Sequence, residues 1–284
     1  MARLTRRSLL GGLAALAAGP VSARPLDEVT GSGRLRVALY AENAPFSDMR
    51  GAEPVGIDVD VARAVAKALK VALDLRLVDA GENVDGDFRL NLWRGDLAGS
   101  PLADLMLHVP NDKMLALRNE QVFLVRPYFE QRLAFAWRRG AMDGFDSFQD
   151  IVGRSVAVEG NSASDMQLLM AESGRYRENL KHFRNQEDAA KAFLAGETQI
   201  LAGTRAGIEA ALAQAKAPRE DNPVVELALT GLVKSRWDLG GAVRTDSRDL
   251  GYAVGDALTA LVEGGGLKEI CARYGVTYSA PTGF

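Results

Sequence analysis

Two side chains in this sequence of 284 residues stand out as able to bind or transform a small molecule. His108 lies inside the apolar run Leu105 to Val109, where an imidazole is either a satisfied core group or a general acid and base. Arg118 offers a planar guanidinium fork that suits a carboxylate, with an ordinary ion pair as the alternative. Both residues are therefore candidates for a site.

The segment Glu159 to Ser164 is a third candidate, because it places a glycine turn between an apolar strand-like run and an amphipathic stretch through Met170. Backbone N–H groups at a helix N-terminus after such a turn form a natural anion site. Ser162 and Ser164 could add hydroxyl donors to it. Each serine has the alternative role of a simple helix cap.

The elements that would position these residues are organised around Val55 to Leu69, VGIDVDVARAVAKAL. Its apolar residues recur every fourth position, which predicts a helix with one buried face. Asp58 and Asp60 fall in the first turn, where acids interact favourably with the helix dipole and need no ligand. The strands predicted at Leu35 to Tyr40 and Val71 to Val78 flank this helix, so the unit is βαβ and the sheet parallel.

Further along the chain, the pattern predicts an amphipathic helix over Phe88 to Leu97 and strands over Leu133 to Trp137 and Val224 to Leu229. The single Cys271 cannot form an internal disulfide. The two histidines and the absence of a Cys/His cluster argue against a structural zinc or an Asp-Ser-His triad. We expect no metal and no cofactor.

The N-terminus predicts export. Arg6 and Arg7 precede an apolar run of about ten residues, too short to span a membrane, and a small-residue site follows that predicts cleavage after Ala23. Residues 1–23 are thus expected to be a twin-arginine-type signal peptide of a periplasmic protein that does not span the membrane. Without its three arginines the chain has 31 basic and 37 acidic side chains, which argues against nucleic acid as a partner.

The stretch Gly56-Ile57-Asp58-Val59-Asp60-Val61 resembles the G-F-D-x-D-hydrophobic signature of family 3 bacterial extracellular solute-binding proteins. The runs Phe148 to Val158 and Leu239 to Arg244 resemble the family's entries into its second lobe and back into its first. The resemblance implies an α/β, two-lobe periplasmic-binding-protein fold of type II, in which each lobe is a mainly parallel sheet flanked by helices and two hinge crossovers join the lobes. Lobe 1 would comprise 32–136 plus 238–284, and lobe 2 would comprise 137–237.

The resemblance also implies a ligand site between the lobes. The aromatic ring of Phe46 would cover the ligand, with packing of a loop hydrophobe on the first helix as the alternative. Arg118 would hold the ligand carboxylate, and the serine turn would contribute to the same contact. Thr204 stands where amino-acid binders have an aspartate for the α-ammonium group, which argues against a standard α-amino acid because an unpaired ammonium is costly to bury. The expected ligand-binding residues are Phe46, His108, Arg118, Ser162, Ser164 and Thr204.

Three functions follow from the resemblance. The first is a monomeric solute-binding protein that captures a small polar or anionic solute for the membrane permease of an ABC-type transporter. The second is an accessory protein of a periplasmic quinoprotein (methanol/alcohol) dehydrogenase, because Ala103 to Pro110 and Arg126 to Phe129 are similar to solute-binding-like proteins encoded beside such enzymes. The third is a dehydratase-like enzyme on the same fold, with His108 as its acid or base.

Overall fold

The structure is a computed structural model that describes residues 24–227 and 234–283. The signal peptide expected at 1–23 lies outside the described residues. The first half of the chain contains helix α1 and strands β1 to β6 with the intervening helices. Their bounds are α1 Leu26–Ser32, β1 Arg34–Tyr40, β2 Asp48–Arg50, β3 Glu53–Val55, α2 Ile57–Ala68, β4 Ala72–Val78, α3 Val84–Phe88, β5 Leu105–Pro110, α4 Lys113–Arg118 and β6 Val122–Trp137.

The second half contains a smaller parallel unit, the return strand and the closing helices. Their bounds are β7 Val156–Glu159, α5 Ala163–Met170, β8 Leu180–Phe183, α6 Gln186–Leu194, β9 Ile200–Thr204, α7 Arg205–Gln214, β10 Val224–Val225, β11 Arg236–Arg244, α8 Arg248–Glu263 and α9 Gly266–Arg273.

Nine of the described strands form one sheet in the order β4-β1-β5-β11-β6-β9-β7-β8, with β10 paired to β6, and β2 and β3 form a separate two-stranded sheet. At one end β1 pairs in parallel with β4 and β5, and at the other β7 pairs in parallel with β8 and β9. The antiparallel strands β11 and β6 join these parallel units. The arrangement is the two-lobe periplasmic-binding-protein fold, as the resemblance implies, and the residue limits of the lobes stay a prediction.

Each lobe buries apolar side chains on both faces of its sheet, which is the expected packing for parallel strands between helices. In the first lobe the larger core lies under α2, α8 and α9, and a smaller core lies under α3. In the second lobe one core lies beneath α5 and the other beneath α6 and α7. Helix α7 also contacts the first-lobe core through Ala206 and Ala210, so the lobes meet there as well as at the sheet.

Helix α2 confirms the periodicity, since Ile57, Val61 and Val65 are all buried. The residue before it, Gly56, has φ 135°, and a Cβ there would collide with the carbonyl of Phe46. That close approach lets the Phe46 carbonyl accept the Asp58 backbone N–H at 2.8 Å. The signature glycine therefore fixes the loop carrying Phe46 against the start of the helix.

Three of the expected elements are wrong in extent. The helix expected at Phe88 to Leu97 begins at Val84, where Asn83 caps it, and continues as a π-helical turn only to Trp93 because Gly95 takes a left-handed conformation. Leu133 to Trp137 is the end of the sixteen-residue β6. The strand expected at Val224 to Leu229 covers only Val224 and Val225, and 228–229 lie outside the described residues.

Candidate functional site

A cavity of about 430 Å³ lies between the two lobes, at the carboxyl ends of parallel strands from both. Ligand sites of open α/β sheets occur at this edge. One wall is the loop after β1 with His108, the floor is formed where β6 and β11 cross between the lobes, and the opposite wall comes from β7, β9 and the start of α6. The polar and aromatic lining residues are Glu42, Asn43, Phe46, Asp48, His108, Gln131, Glu159, Arg184, Asn185, Gln186, Glu187, Asp188, Lys191, Thr204 and Trp237.

His108 is held in the cavity wall by a buried network. Its Nδ1 lies 2.8 Å from a carboxylate oxygen of Asp58, and the hydroxyl of Tyr128 donates to the other oxygen at 2.7 Å. The same hydroxyl accepts the His108 backbone N–H at 3.1 Å. Asp58 and Tyr128 are completely buried. The imidazole is thus oriented from behind, with Nε2 as the ring nitrogen left for a ligand.

Asp58 lies in the first turn of α2, as the sequence predicts. Its carboxylate also contacts His108 and Tyr128. Asp60 is partly buried, pairs with Arg63 and Arg273, and accepts the Tyr274 hydroxyl at 3.0 Å. The two aspartates of the signature therefore have different functions.

Phe46 lines the cavity beside His108. The centroids of the two rings are 4.6 Å apart in an edge-on arrangement, and the Phe46 ring also contacts Phe129 at 5.4 Å. Only 1% of Phe46 is exposed, so the ring supports the imidazole as well as the wall. Edge-on aromatic contacts of this kind add a modest stabilisation to burial.

Thr204 ends β9 and lines the cavity from the second lobe. Its hydroxyl accepts the Gly207 backbone N–H at 3.1 Å, so it caps α7. The structure thus brings Phe46, His108 and Thr204 together around one cavity.

Ser162 and Ser164 do not line this cavity. Ser162 caps α5 by accepting the Asp165 backbone N–H, and Ser164 is buried. The carboxylate of Asp165 already accepts the Asn161 backbone N–H at 2.9 Å and contacts His182 at 2.8 Å. A side chain of the protein therefore occupies the turn that the sequence suggested as an anion site.

Arg118 also lies away from the cavity, at the end of α4. Its guanidinium donates to Asp85 at 3.0 Å, and both side chains are largely exposed. Hydrogen bonds from Asn119 and then Arg118 hold the pKa of the Asp85 carboxyl below its usual value, against the opposing effect of burial. In the structure Arg118 therefore forms an ordinary ion pair. The sequence spacing to Tyr128 could not reveal this, because it does not determine which way α4 faces.

Several residues that line the cavity were not predicted from the sequence. Among the described residues, the buried side-chain atoms without a hydrogen-bond partner include Asn43 Nδ2, Gln131 Oε1 and Gln186 Nε2, and all three residues line the cavity. Buried polar groups normally have partners, so such groups call for an explanation. Amides carry no distinctive spacing, and nothing in the sequence singled them out.

The charges on the cavity wall are mostly paired. Arg184 bridges the lobes by contacting Glu42 at 3.0 Å, and Lys191 contacts Glu187 at 2.7 Å and Asp188 at 3.4 Å. A second cavity of about 520 Å³ adjoins the first and shares part of its lining, Asp48 and Gln186 included. The space between the lobes is thus wider than one cavity.

The described part of the chain holds no group of three or more histidine, cysteine or acidic side chains arranged to bind a metal ion. It also contains no helix with the length and apolar character that crossing a membrane requires.

Solved structures with the same fold include solute-binding proteins and a sensor domain. An ancestral cationic amino acid solute-binding protein aligns with a TM-score of 0.69 at 22% identity, covering 88% of this chain and 98% of that one. Another structure of that ancestral protein describes it as a precursor of cyclohexadienyl dehydratase. An amino acid ABC transporter substrate-binding protein from Streptococcus pneumoniae, bound to L-arginine, aligns with a TM-score of 0.63 at 18% identity, covering 91% and 99%.

A histidine kinase sensor domain with similarity to periplasmic binding proteins aligns with a TM-score of 0.59 at 19% identity, covering 87% of this chain and 98% of that one. No protein-family model matches the chain, and no curated protein matches it. The similarities establish the two-lobe fold, and the function is argued from the site.

Proposed function

We propose that this protein is a periplasmic solute-binding protein that encloses a small polar solute between its lobes. The observation that carries the proposal is the cavity itself, whose walls come from both lobes and include three polar side chains with unpartnered atoms. Its volume of about 430 Å³ lies in the range of small-molecule sites. A solute would supply the missing hydrogen-bond partners.

Phe46, His108 and Thr204 are the predicted site residues that support this proposal, because they line the cavity. Arg118, Ser162 and Ser164 do not line the cavity: Arg118 pairs with Asp85, Ser162 caps α5 and Ser164 is buried. His108 would contact the solute through Nε2, with Asp58 fixing the ring. Thr204 would offer its hydroxyl while it continues to cap α7.

Binding would work by closure of the lobes. A solute that contacts both walls binds the closed form more tightly and shifts the open–closed equilibrium by that difference in affinity. The strands β6 and β11 are the connections that would bend. The closed form of a monomer would then deliver the solute to the permease of an ABC-type transporter, as the names of the structural neighbours suggest.

A thermal-shift screen of amino acids, amines, carboxylates and neutral polyols tests the proposal, because a ligand of the folded state raises the melting temperature Tm. We expect one class to raise Tm in the wild type and to do so less in His108→Gln. Arg118→Ala is the matched control, because its side chain lies outside the cavity, and it should respond like the wild type. No shift with any class would contradict the proposal.

A second candidate function is a dehydratase-like enzyme. It is favoured by the pairing of His108 with the buried Asp58, which orients the imidazole as a general base or acid would be oriented. Turnover of a cyclohexadienyl acid by the wild type, lost in His108→Ala, would favour the enzyme over the binder. The accessory role beside a quinoprotein dehydrogenase stays a prediction, which co-purification of such an enzyme would test.

A further inference from the structure

The cavity wall has more negative than positive charge, and its two cationic side chains already form ion pairs within the protein. Five carboxylates and two cations line it. Arg184 donates to both carboxylate oxygens of Glu42, at 3.0 and 3.1 Å, and Lys191 pairs with two acids of its own helix. An anionic solute would therefore find no uncommitted Lys or Arg among the described residues of this wall.

Two carboxylates on opposite walls have no cationic partner within the described chain. Asp48, in the first lobe, accepts only the neighbouring Met49 backbone N–H at 2.7 Å. Glu159, in the second lobe, receives the backbone N–H of Gln186 and no positive charge. Burial raises the pKa of the Glu159 carboxyl above its ordinary value, and this hydrogen bond does not offset the rise. A half-buried carboxylate without a counter-ion is a costly arrangement that a bound cation would relieve.

Glu159 could supply the negative charge that amino-acid binders have as an aspartate at the position of Thr204. β7 runs parallel to β9 with Ala157 opposite Leu201, so Glu159 falls level with Gly203, one residue before Thr204. Both strands end at the cavity, and Glu159 and Thr204 line it together. The cavity therefore has a carboxylate on β7, the strand next to β9, and not at Thr204 itself.

Gln131 provides an independent sign of a ligand. It lies opposite Trp237 in the antiparallel pair of β6 and β11, so the two side chains share one face of the sheet, and both line the cavity. Gln131 is only 3% exposed, and its Oε1 has no partner. A buried acceptor beside carboxylates calls for a hydrogen-bond donor, and the Trp237 ring could add a cation–π contact.

We propose that the cavity binds the ammonium or guanidinium group of an organic cation that has no carboxylate, with Glu159 and Gln131 as the main contacts and Asp48 facing them. This inference rests on the proposed solute-binding function and narrows the solute class from polar to cationic. An amine or guanidine fits the two unpaired carboxylates. A dicarboxylate would place further negative charge beside them.

Titration calorimetry with probes of similar length and different charge tests the inference. The probes are putrescine and agmatine as cations, butanediol as a neutral diol and succinate as an anion. The variants are Glu159→Gln, which removes the unpaired charge, and the matched control Glu178→Gln, which removes an exposed acidic charge outside the cavity lining. We expect a cationic probe to bind to the wild type. Its affinity should fall at least about tenfold in Glu159→Gln and stay within about twofold of wild type in Glu178→Gln.

The outcomes separate this inference from the proposed function. Binding of butanediol or succinate without binding of a cation, or equal affinity of wild type and Glu159→Gln for the cation, would overturn the inference and leave the binding function standing. No shift with any class in the wider screen would overturn both.

Discussion

At the scale of single residues, Asp58 joins the signature helix to the cavity. It is completely buried, yet both carboxylate oxygens have partners, His108 and Tyr128, from two different strands. Buried polar groups stabilise a fold only when they are satisfied in this way, and removing one partner leaves the others unpaired. The same contacts that stabilise the first lobe therefore fix the orientation of the imidazole in the cavity wall.

We expect Asp58→Asn to lower the free energy of unfolding by about 1–3 kcal/mol, because the amide cannot accept both hydrogen bonds. Asp60→Asn, two residues further on, is the control, and its partly exposed ion pairs should cost less than about 1 kcal/mol. Urea unfolding of the two variants measures the difference. Equal losses would contradict the assigned role of Asp58.

Glu159 allows a prediction about pH. The folded state raises the pKa of its carboxyl through burial, so the folded protein binds this proton more tightly than the unfolded chain does. The group therefore costs stability at pH values above its folded pKa, and the cost disappears as pH falls below the ordinary glutamate pKa. Glu159→Gln should raise Tm by about 1–3 °C at pH 7 and change it little near pH 4. A Tm lowered at pH 7 would show that the charge is stabilising.

At the scale of elements, α7 shows how one residue can serve the fold and the cavity. Thr204 caps this helix through Gly207 and also lines the cavity. We expect Thr204→Val to lose about 1 kcal/mol of stability, because the cap hydroxyl is gone, whereas Thr204→Ser keeps it. Urea midpoints of the two variants check this, and equal stability of Thr204→Val and wild type would contradict the cap.

The strands and helices that the sequence predicted well are those whose pattern is local. Helix α2 was predictable because its apolar residues and Gly56 lie within fifteen positions. β6 was not, because Pro127 resembles a turn residue. The structure accommodates that proline at an irregularity of the ladder around Gly240, where the pairing of β11 with β6 shifts register. Only the three-dimensional pairing reveals such a site.

The candidate site was predictable only in part, because some of its residues lie in recognisable local segments and others are brought together only by the fold. The family resemblance singled out His108 and Thr204, and both line the cavity. Their contact with a ligand stays a prediction. The position of Arg118, which pairs with Asp85 away from the cavity, could not be predicted, because the distance along the chain to Tyr128 does not fix the direction of a side chain on a short helix. Gln131 and Glu159 come from different lobes, so their proximity depends on how the two sheets join.

At the scale of the whole molecule, contacts between the lobes describe a cleft that is at least partly closed. Arg184 reaches Glu42 across the cavity, and the Thr277 backbone N–H donates to the buried Glu209 of α7 at 2.6 Å. The first is an exposed pair, which is worth less than about 1 kcal/mol. The Arg184–Glu42 pair can therefore favour the closed form while still allowing the lobes to open.

We expect Arg184→Glu to shift the unliganded protein toward the open form, because it places like charges across the cleft. Loss of a pair of this strength should change the ratio of open to closed molecules by up to about fivefold. The double variant Glu42→Arg with Arg184→Glu should restore the original ratio. Fluorescence energy transfer between dyes on the two lobes measures the distribution. The same distribution in all three proteins would contradict the bridge.

Hydrogen–deuterium exchange with the best-binding solute from the screen would show whether a solute binds between the lobes. We expect slower exchange in segments of both walls, around residues 42–48, 108–111, 159–162 and 184–191, with little change around Arg118. Protection confined to one lobe, or centred on Arg118, would contradict binding between the lobes.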